Sequence, residues 1–192
     1  MRIRIDLKIL IFLVIFYFTH QLSNYLAIMF FCIIHEMGHI IVGLMLKIKP
    51  EKIEIMPFGL RASFNGDYDY PKMKEIFITL AGPLTSLALA ILCTTEVAFY
   101  SNLIILIFNL MPIYPLDGGR IIKGLLHLKV GAMQSDKIIN KISYITMIII
   151  TLISSIAVYY YQNIAIFMIC IFLWIIVLQE KNNKTLAIFQ GK

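Results

Sequence analysis

His35 and His39 are separated by one helical turn, so on a helix their imidazoles point the same way and can converge on one metal ion. Glu36 lies beside them as a candidate base. The five residues His35-Glu36-Met37-Gly38-His39 stand inside an apolar stretch from Tyr25 to Leu46. Ionisable groups are costly at bilayer depth, and a cluster of them there is a functional hypothesis by default. A catalytic zinc takes three protein ligands and keeps a fourth position for water, so two histidines are one ligand short. The candidate third is Asp117, in Asn109-Leu-Met-Pro-Ile-Tyr-Pro-Leu-Asp-Gly-Gly-Arg120. Imidazole and carboxylate ligation in a hydrolase favours Zn2+, one ion per chain.

The elements that must carry these groups follow from the apolar runs. Six segments can be drawn, at 7–22, 25–46, 76–95, 97–111, 138–161 and 164–178. The second gives about 33 Å of helix, enough to cross a hydrocarbon core of roughly 30 Å. His39 lies seven residues before its end, so the site is expected roughly 10 Å below one membrane surface. The run ending at Met111 meets Pro112 and Pro115 before any charge, which leaves Asp117 submerged on a proline-broken helix. Gly118 and Gly119 then permit a tight turn that aims the carboxylate into the bundle.

Between the second and third segments the chain is more polar. Ile53, Ile55 and Phe64 alternate with polar neighbours, and Asn65-Gly66 signals a turn. A short membrane-dipping β-hairpin around Met56-Pro-Phe-Gly-Leu60 is expected. Asp67 and Asp69 read as solvated loop carboxylates. In the third segment, Gly82 and Ser86 offer a small-residue face for close helix approach, and Pro83 invites a kink.

Hydrophobic residues make up 60% of the 192, and charged residues only 15%, a balance that excludes a soluble domain of this size. The expected fold class is an all-α polytopic membrane protein with about six transmembrane segments, in a single domain spanning 1–192. If all six segments cross, the 17 Lys and Arg residues all fall on the side of the termini. The positive-inside rule makes that side, with both termini, cytoplasmic in a multi-pass membrane protein. The net charge of +6 then reflects topology and requires no nucleic-acid partner. Cys32, Cys93 and Cys170 are isolated in apolar runs and read as buried small residues. Tyr159 to Tyr161 read as an interfacial belt, Trp174 as packing, and His20 and His127 as interfacial.

The pairing of His35-Glu36-x-x-His39 with Asn109-x-x-Pro-x-x-Pro-Leu-Asp117-Gly-Gly resembles the site-2 protease family of intramembrane zinc metalloproteases. The Pro-Phe-Gly hairpin, Ala81-Gly-Pro-Leu84 and the six short segments look most like its sporulation protease FB branch. The resemblance implies zinc held by His35, His39 and Asp117, with Glu36 as catalytic base and access from the cytoplasmic side. It also implies that Asn109 orients substrate or the developing oxyanion. The implied partners are a membrane-associated substrate, a sporulation sigma-factor precursor, and inhibitory membrane proteins. The chain stops about a dozen residues after the sixth segment, so the branch's C-terminal nucleotide-sensing domain is not expected here.

Hydrolysis of a transmembrane peptide requires its helix to be unwound, and an extended segment could pair with the edge of the 52–64 hairpin. The rival reading is a non-catalytic metal-binding scaffold or transporter. Against transport, no ladder of polar residues runs along the other segments. Against a scaffold, Glu36 would have no task.

Overall fold

The structure is a computed structural model, and it describes residues 2–5, 7–18, 20–56, 59–64, 71–161, 170–171 and 173–179. In chain order the elements are β1 (Arg2–Ile5), α1 (Lys8–Phe18), α2 (Leu22–Met45), β2 (Pro50–Met56), β3 (Gly59–Phe64), α3 (Lys72–Leu92), α4 (Glu96–Asn109), α5 (Asp117–Val130) and α6 (Ala132–Tyr161). They group into two units, Met1–Leu110 and Met111–Lys192.

In the first unit, α2 packs on α3 and α4, and α3 on α4. Both ends of the α1–α2 joint are set by local hydrogen bonding. His20 adopts a left-handed conformation (φ 57°), its N–H donates to Tyr17 O, and the Gln21 N–H reaches back to Phe16 O. This Schellman closure satisfies the last carbonyls of α1. Phe16 then stacks on Tyr25 with ring centroids 4.5 Å apart. The same device ends α2: Lys47 (φ 63°) donates to Leu44 O, and the Ile48 N–H donates to Gly43 O. The helix carrying the histidines therefore stops at a lysine, and the chain turns into β2.

The sheet has the order β1-β2-β3, with β1 parallel and β3 antiparallel to β2. Arg2-Ile3-Arg4-Ile5, ahead of the first apolar segment, forms the strand that pairs with Lys52 to Ile55. The 52–64 region thus has β2 flanked on both sides, and β1 and β3 are the two edge strands among the described residues. Residues 57–58 and 65–70, including Asn65-Gly66, Asp67 and Asp69, lie outside the described residues.

The second unit holds α5 and α6 packed on each other. Helix α6 buries several hydroxyls and exposes a run of large apolar side chains in its second half. Ser135, Ile139, Ser143, Met147 and Ser154 are buried along one stripe, while Ile145, Ile148, Ile149, Leu152, Ile153 and Ile156 are exposed. A water-soluble helix has the opposite arrangement, and this one suits a lipid surround, where hydroxyls are satisfied inward. Thr151 illustrates how: its hydroxyl donates to Met147 O at 2.7 Å and accepts the Trp174 indole N–H at 3.1 Å.

Three described helices are long and apolar enough to cross a membrane: Leu22–Met45, Lys72–Leu92 and Ala132–Tyr160. The expected first and fourth segments form shorter helices of 11 and 14 residues. At about 1.5 Å per residue neither alone reaches across a full hydrocarbon core. Most of the expected sixth segment's start, residues 164–169, lies outside the described residues. Asp117-Gly118-Gly119, expected as a tight turn, is instead the first turn of α5, a helix not drawn from the sequence because its face carries Arg120, Lys123, His127 and Lys129.

Candidate active site

The first unit brings His35, Glu36 and His39 together on the face of α2 that meets α3. Both imidazoles are buried, at 4% and 3% exposure. Helix α3 runs antiparallel along them, and a line of its residues at four-residue spacing, Ile78, Gly82 and Ser86, supports the pair. His39 Nδ1 lies 2.7 Å from the Ile78 carbonyl oxygen and 3.3 Å from the Gly82 nitrogen. A carbonyl can only accept, so the shorter contact fixes the proton on Nδ1 and leaves the Nε2 lone pair free of it. His35 Nδ1 stands 2.8 Å from Ser86 Oγ. The two Nε2 atoms face each other at 3.3 Å, with rings 5.0 Å apart and nearly perpendicular.

That separation tests whether the pair suits a metal. Two imidazole nitrogens at roughly 2.05 Å from one tetrahedral zinc are about 3.35 Å apart. The observed 3.3 Å matches, and the Nδ1 contacts to a carbonyl and a hydroxyl are the kind of outer support that metal-binding imidazoles carry. The donor set fits zinc.

Close helix approach makes this geometry attainable. A side chain on Gly38 would collide with the Thr85 hydroxyl and come within 3.0 Å of the Ala81 carbonyl oxygen. One on Gly82 would land on His39 and lie 2.6 Å from His35 Nε2. Gly82, expected only as a small-residue contact, is thus the surface against which both imidazoles rest. Pro83 follows it inside α3 and, having no N–H, withdraws one rung from the helix ladder there.

Glu36 is nearly buried, and its Oε2 lies 4.0 Å from His39 Nε2. The carboxylate lies beside that nitrogen, beyond hydrogen-bond distance. Asn109 is the last residue of α4, where its Nδ2 donates to Ile105 O at 3.1 Å, leaving a second N–H and its carbonyl oxygen.

In the second unit Asp117 is 7% exposed and opens α5, where the aligned amides of the first turn favour a carboxylate. His35, His39 and Asp117 are all buried, and each offers one ligand atom. As supports of the imidazoles, Ser86 and the Ile78 carbonyl escaped the sequence reading. The four-residue spacing of Gly82 and Ser86 marked the face but not what it touches.

Comparison with known proteins points the same way. The profile of peptidase family M50 matches residues 23–101 and 94–153. The zinc metalloprotease MJ0392 of Methanocaldococcus jannaschii is 30% identical over 165 residues, covering 78% of this chain and 47% of that one. Stage IV sporulation protein FB of Bacillus subtilis is 28% identical over 116 residues, covering 54% of this chain and 40% of that one. The chain thus spans less than half the length of either relative. The solved site-2 protease from Methanocaldococcus jannaschii superposes with a TM-score of 0.72 at 26% identity, covering 93% of this chain and 89% of that one. With the profile extending over both the histidine pair and Asp117, the chain belongs to peptidase family M50, the site-2 proteases.

Proposed function

We propose that this protein is an intramembrane zinc metalloprotease that hydrolyses a peptide bond of a membrane-associated protein near the cytoplasmic face. The observation that carries the reading is the pair of buried imidazoles whose Nε2 atoms lie 3.3 Å apart, each ring supported from α3 at Nδ1. His35, His39 and Asp117 hold the ion in this reading. When bound, zinc supplies Lewis-acid chemistry, lowering the pKa of water to about 7 and stabilising charge on the scissile carbonyl oxygen.

The chain's own residues do the rest. Glu36 accepts the proton of the attacking water at its carboxylate and returns it to the leaving amine. Ile78 O and Ser86 Oγ keep the imidazoles oriented, and burial among apolar residues limits competing water. Asn109 presents its remaining amide N–H to substrate or to the developing oxyanion. An unwound substrate segment adds as a strand to the edge of β3, which exposes its carbonyl groups.

The finer reading places both termini on the cytoplasmic side of a six-span topology, on the strength of where the lysines and arginines fall. It takes the substrate to be a membrane-tethered sigma-factor precursor under the control of inhibitory membrane proteins. Likeness to stage IV sporulation protein FB supports that choice. The experiment is co-expression of wild type and Glu36→Gln with such a precursor, following substrate size on a gel. Cleavage by wild type alone is expected; equal cleavage by both would overturn the role of Glu36.

A further inference from the structure

Ahead of α5, the chain from Met111 to Leu116 has no regular secondary structure, yet its conformation decides where Asp117 stands. Its internal hydrogen bonds are few: Ile113 N–H to Met111 O at 2.7 Å and Leu116 N–H to Ile113 O at 2.8 Å. The rest of its support comes from the helices beneath it. The Tyr114 N–H donates to Ser143 Oγ of α6 at 2.9 Å. That hydroxyl donates its own proton to Ile139 O at 2.8 Å, so its lone pair is turned toward Tyr114. Ser143 is 2% exposed and Ile113 is fully buried. On the other side of the same peptide, a Cβ at Gly119 would come within 2.5 Å of Ile113 O and of Tyr114 N. The Ile113–Tyr114 peptide is therefore held between the first turn of α5 and one serine of α6. Lys123 of α5 caps the arrangement, its Nζ 4.9 Å from the Tyr114 ring centroid and 2.6 Å from Asp136 Oδ1 of α6.

We infer that Ser143 is a positioning residue for the metal site: by fixing the Tyr114 amide it sets the loop that delivers the Asp117 carboxylate. The inference rests on the reading of Asp117 as a zinc ligand. Ser143 reaches no ligand itself. It acts through three residues of backbone, from Tyr114 to Asp117, that would otherwise pivot on the two loop hydrogen bonds. An amide left unpaired in this buried setting seeks another partner, and the loop moves to find one.

The test compares Ser143→Thr with Ser143→Val in the full-length protein in detergent. Both add the same methyl, and only threonine keeps the hydroxyl. Zinc affinity is read by competition with a chromogenic chelator, and Tm is measured on the zinc-free protein. The valine variant, and Ser143→Ala, are expected to bind zinc more weakly by on the order of fivefold, the worth of one hydrogen bond, with threonine within about twofold of wild type. Zinc affinity of the valine variant equal to that of threonine would overturn the inference, even if both lowered the zinc-free Tm, because a purely structural serine moves Tm alone. Asp117→Asn serves as the control for the underlying reading. If it bound zinc as wild type does, the ligand assignment would fail; if it bound weakly while valine matched threonine, only the role of Ser143 would fail.

Discussion

Replacing Gly82 with alanine tests the site through the surface that backs it. A Cβ at Gly82 would stand 2.6 Å from His35 Nε2 and nearer still to the His39 ring, whereas ordinary contact begins at 3.4 Å. The His35 nitrogen must therefore retreat by at least 0.4 Å (3.0 − 2.6) to reach the 3.0 Å limit that real contacts respect, and His39 by more. Metal–ligand distances tolerate about 0.2 Å, so neither nitrogen can keep its bond without a shift of the helices. A loss of at least about 100-fold in zinc affinity, about 2.7 kcal/mol, is expected. The assay is zinc per chain after dialysis against a graded chelator, with Gly38→Ala as comparison. At Gly38 the added carbon meets Thr85 Oγ1 and Ala81 O rather than an imidazole, so that variant should lower Tm more than zinc affinity. Wild-type zinc affinity in Gly82→Ala would refute the argument that both metal-facing nitrogens rest on this glycine.

Glu36→Gln keeps the shape of the side chain beside His39 Nε2 and removes its basicity; zinc content should stay at the wild-type level while cleavage falls by roughly 10²- to 10⁴-fold. Ser86→Ala removes the 2.8 Å partner of His35 Nδ1 and should cost roughly 10- to 100-fold in zinc affinity or activity, measured by chelator competition, with Ser86→Thr restoring part of it. Asp117→Asn should weaken zinc retention as well as rate, and unchanged zinc content would point to another third ligand. Dialysis against a strong chelator should abolish cleavage of a reconstituted membrane substrate, and added zinc should restore it; full activity in the stripped protein would remove the metal from the chemistry.

How much of this was legible in the sequence depended on whether the signal was local. The His35/His39 spacing needs only one helix to be meaningful, and α2 supplies it. Asp117 was marked by the prolines before it, though the two glycines were misread: they open a helix, and Gly119 is small because the Ile113–Tyr114 peptide lies against it. Helix α5 was missed because the search followed continuous apolar runs, while its apolar residues are interrupted by four basic ones. Strand β1 was missed for a related reason. Arg2-Ile3-Arg4-Ile5 alternates with the period of a strand, but four residues pair only when a partner 50 positions away is known. The supports of the imidazoles at Ile78 and Ser86 are contacts between helices, and no spacing within α3 names the residue on α2 that they meet.

The most direct test of the central claim is the X-ray absorption spectrum of zinc in the purified wild-type protein, with the metal quantified per chain. One zinc per chain with nitrogen and oxygen neighbours at about 2.0–2.2 Å is the predicted result. A protein that holds no zinc, or a sulfur neighbour at about 2.3 Å that would bring a cysteine such as Cys32 into the ligand set, would contradict it.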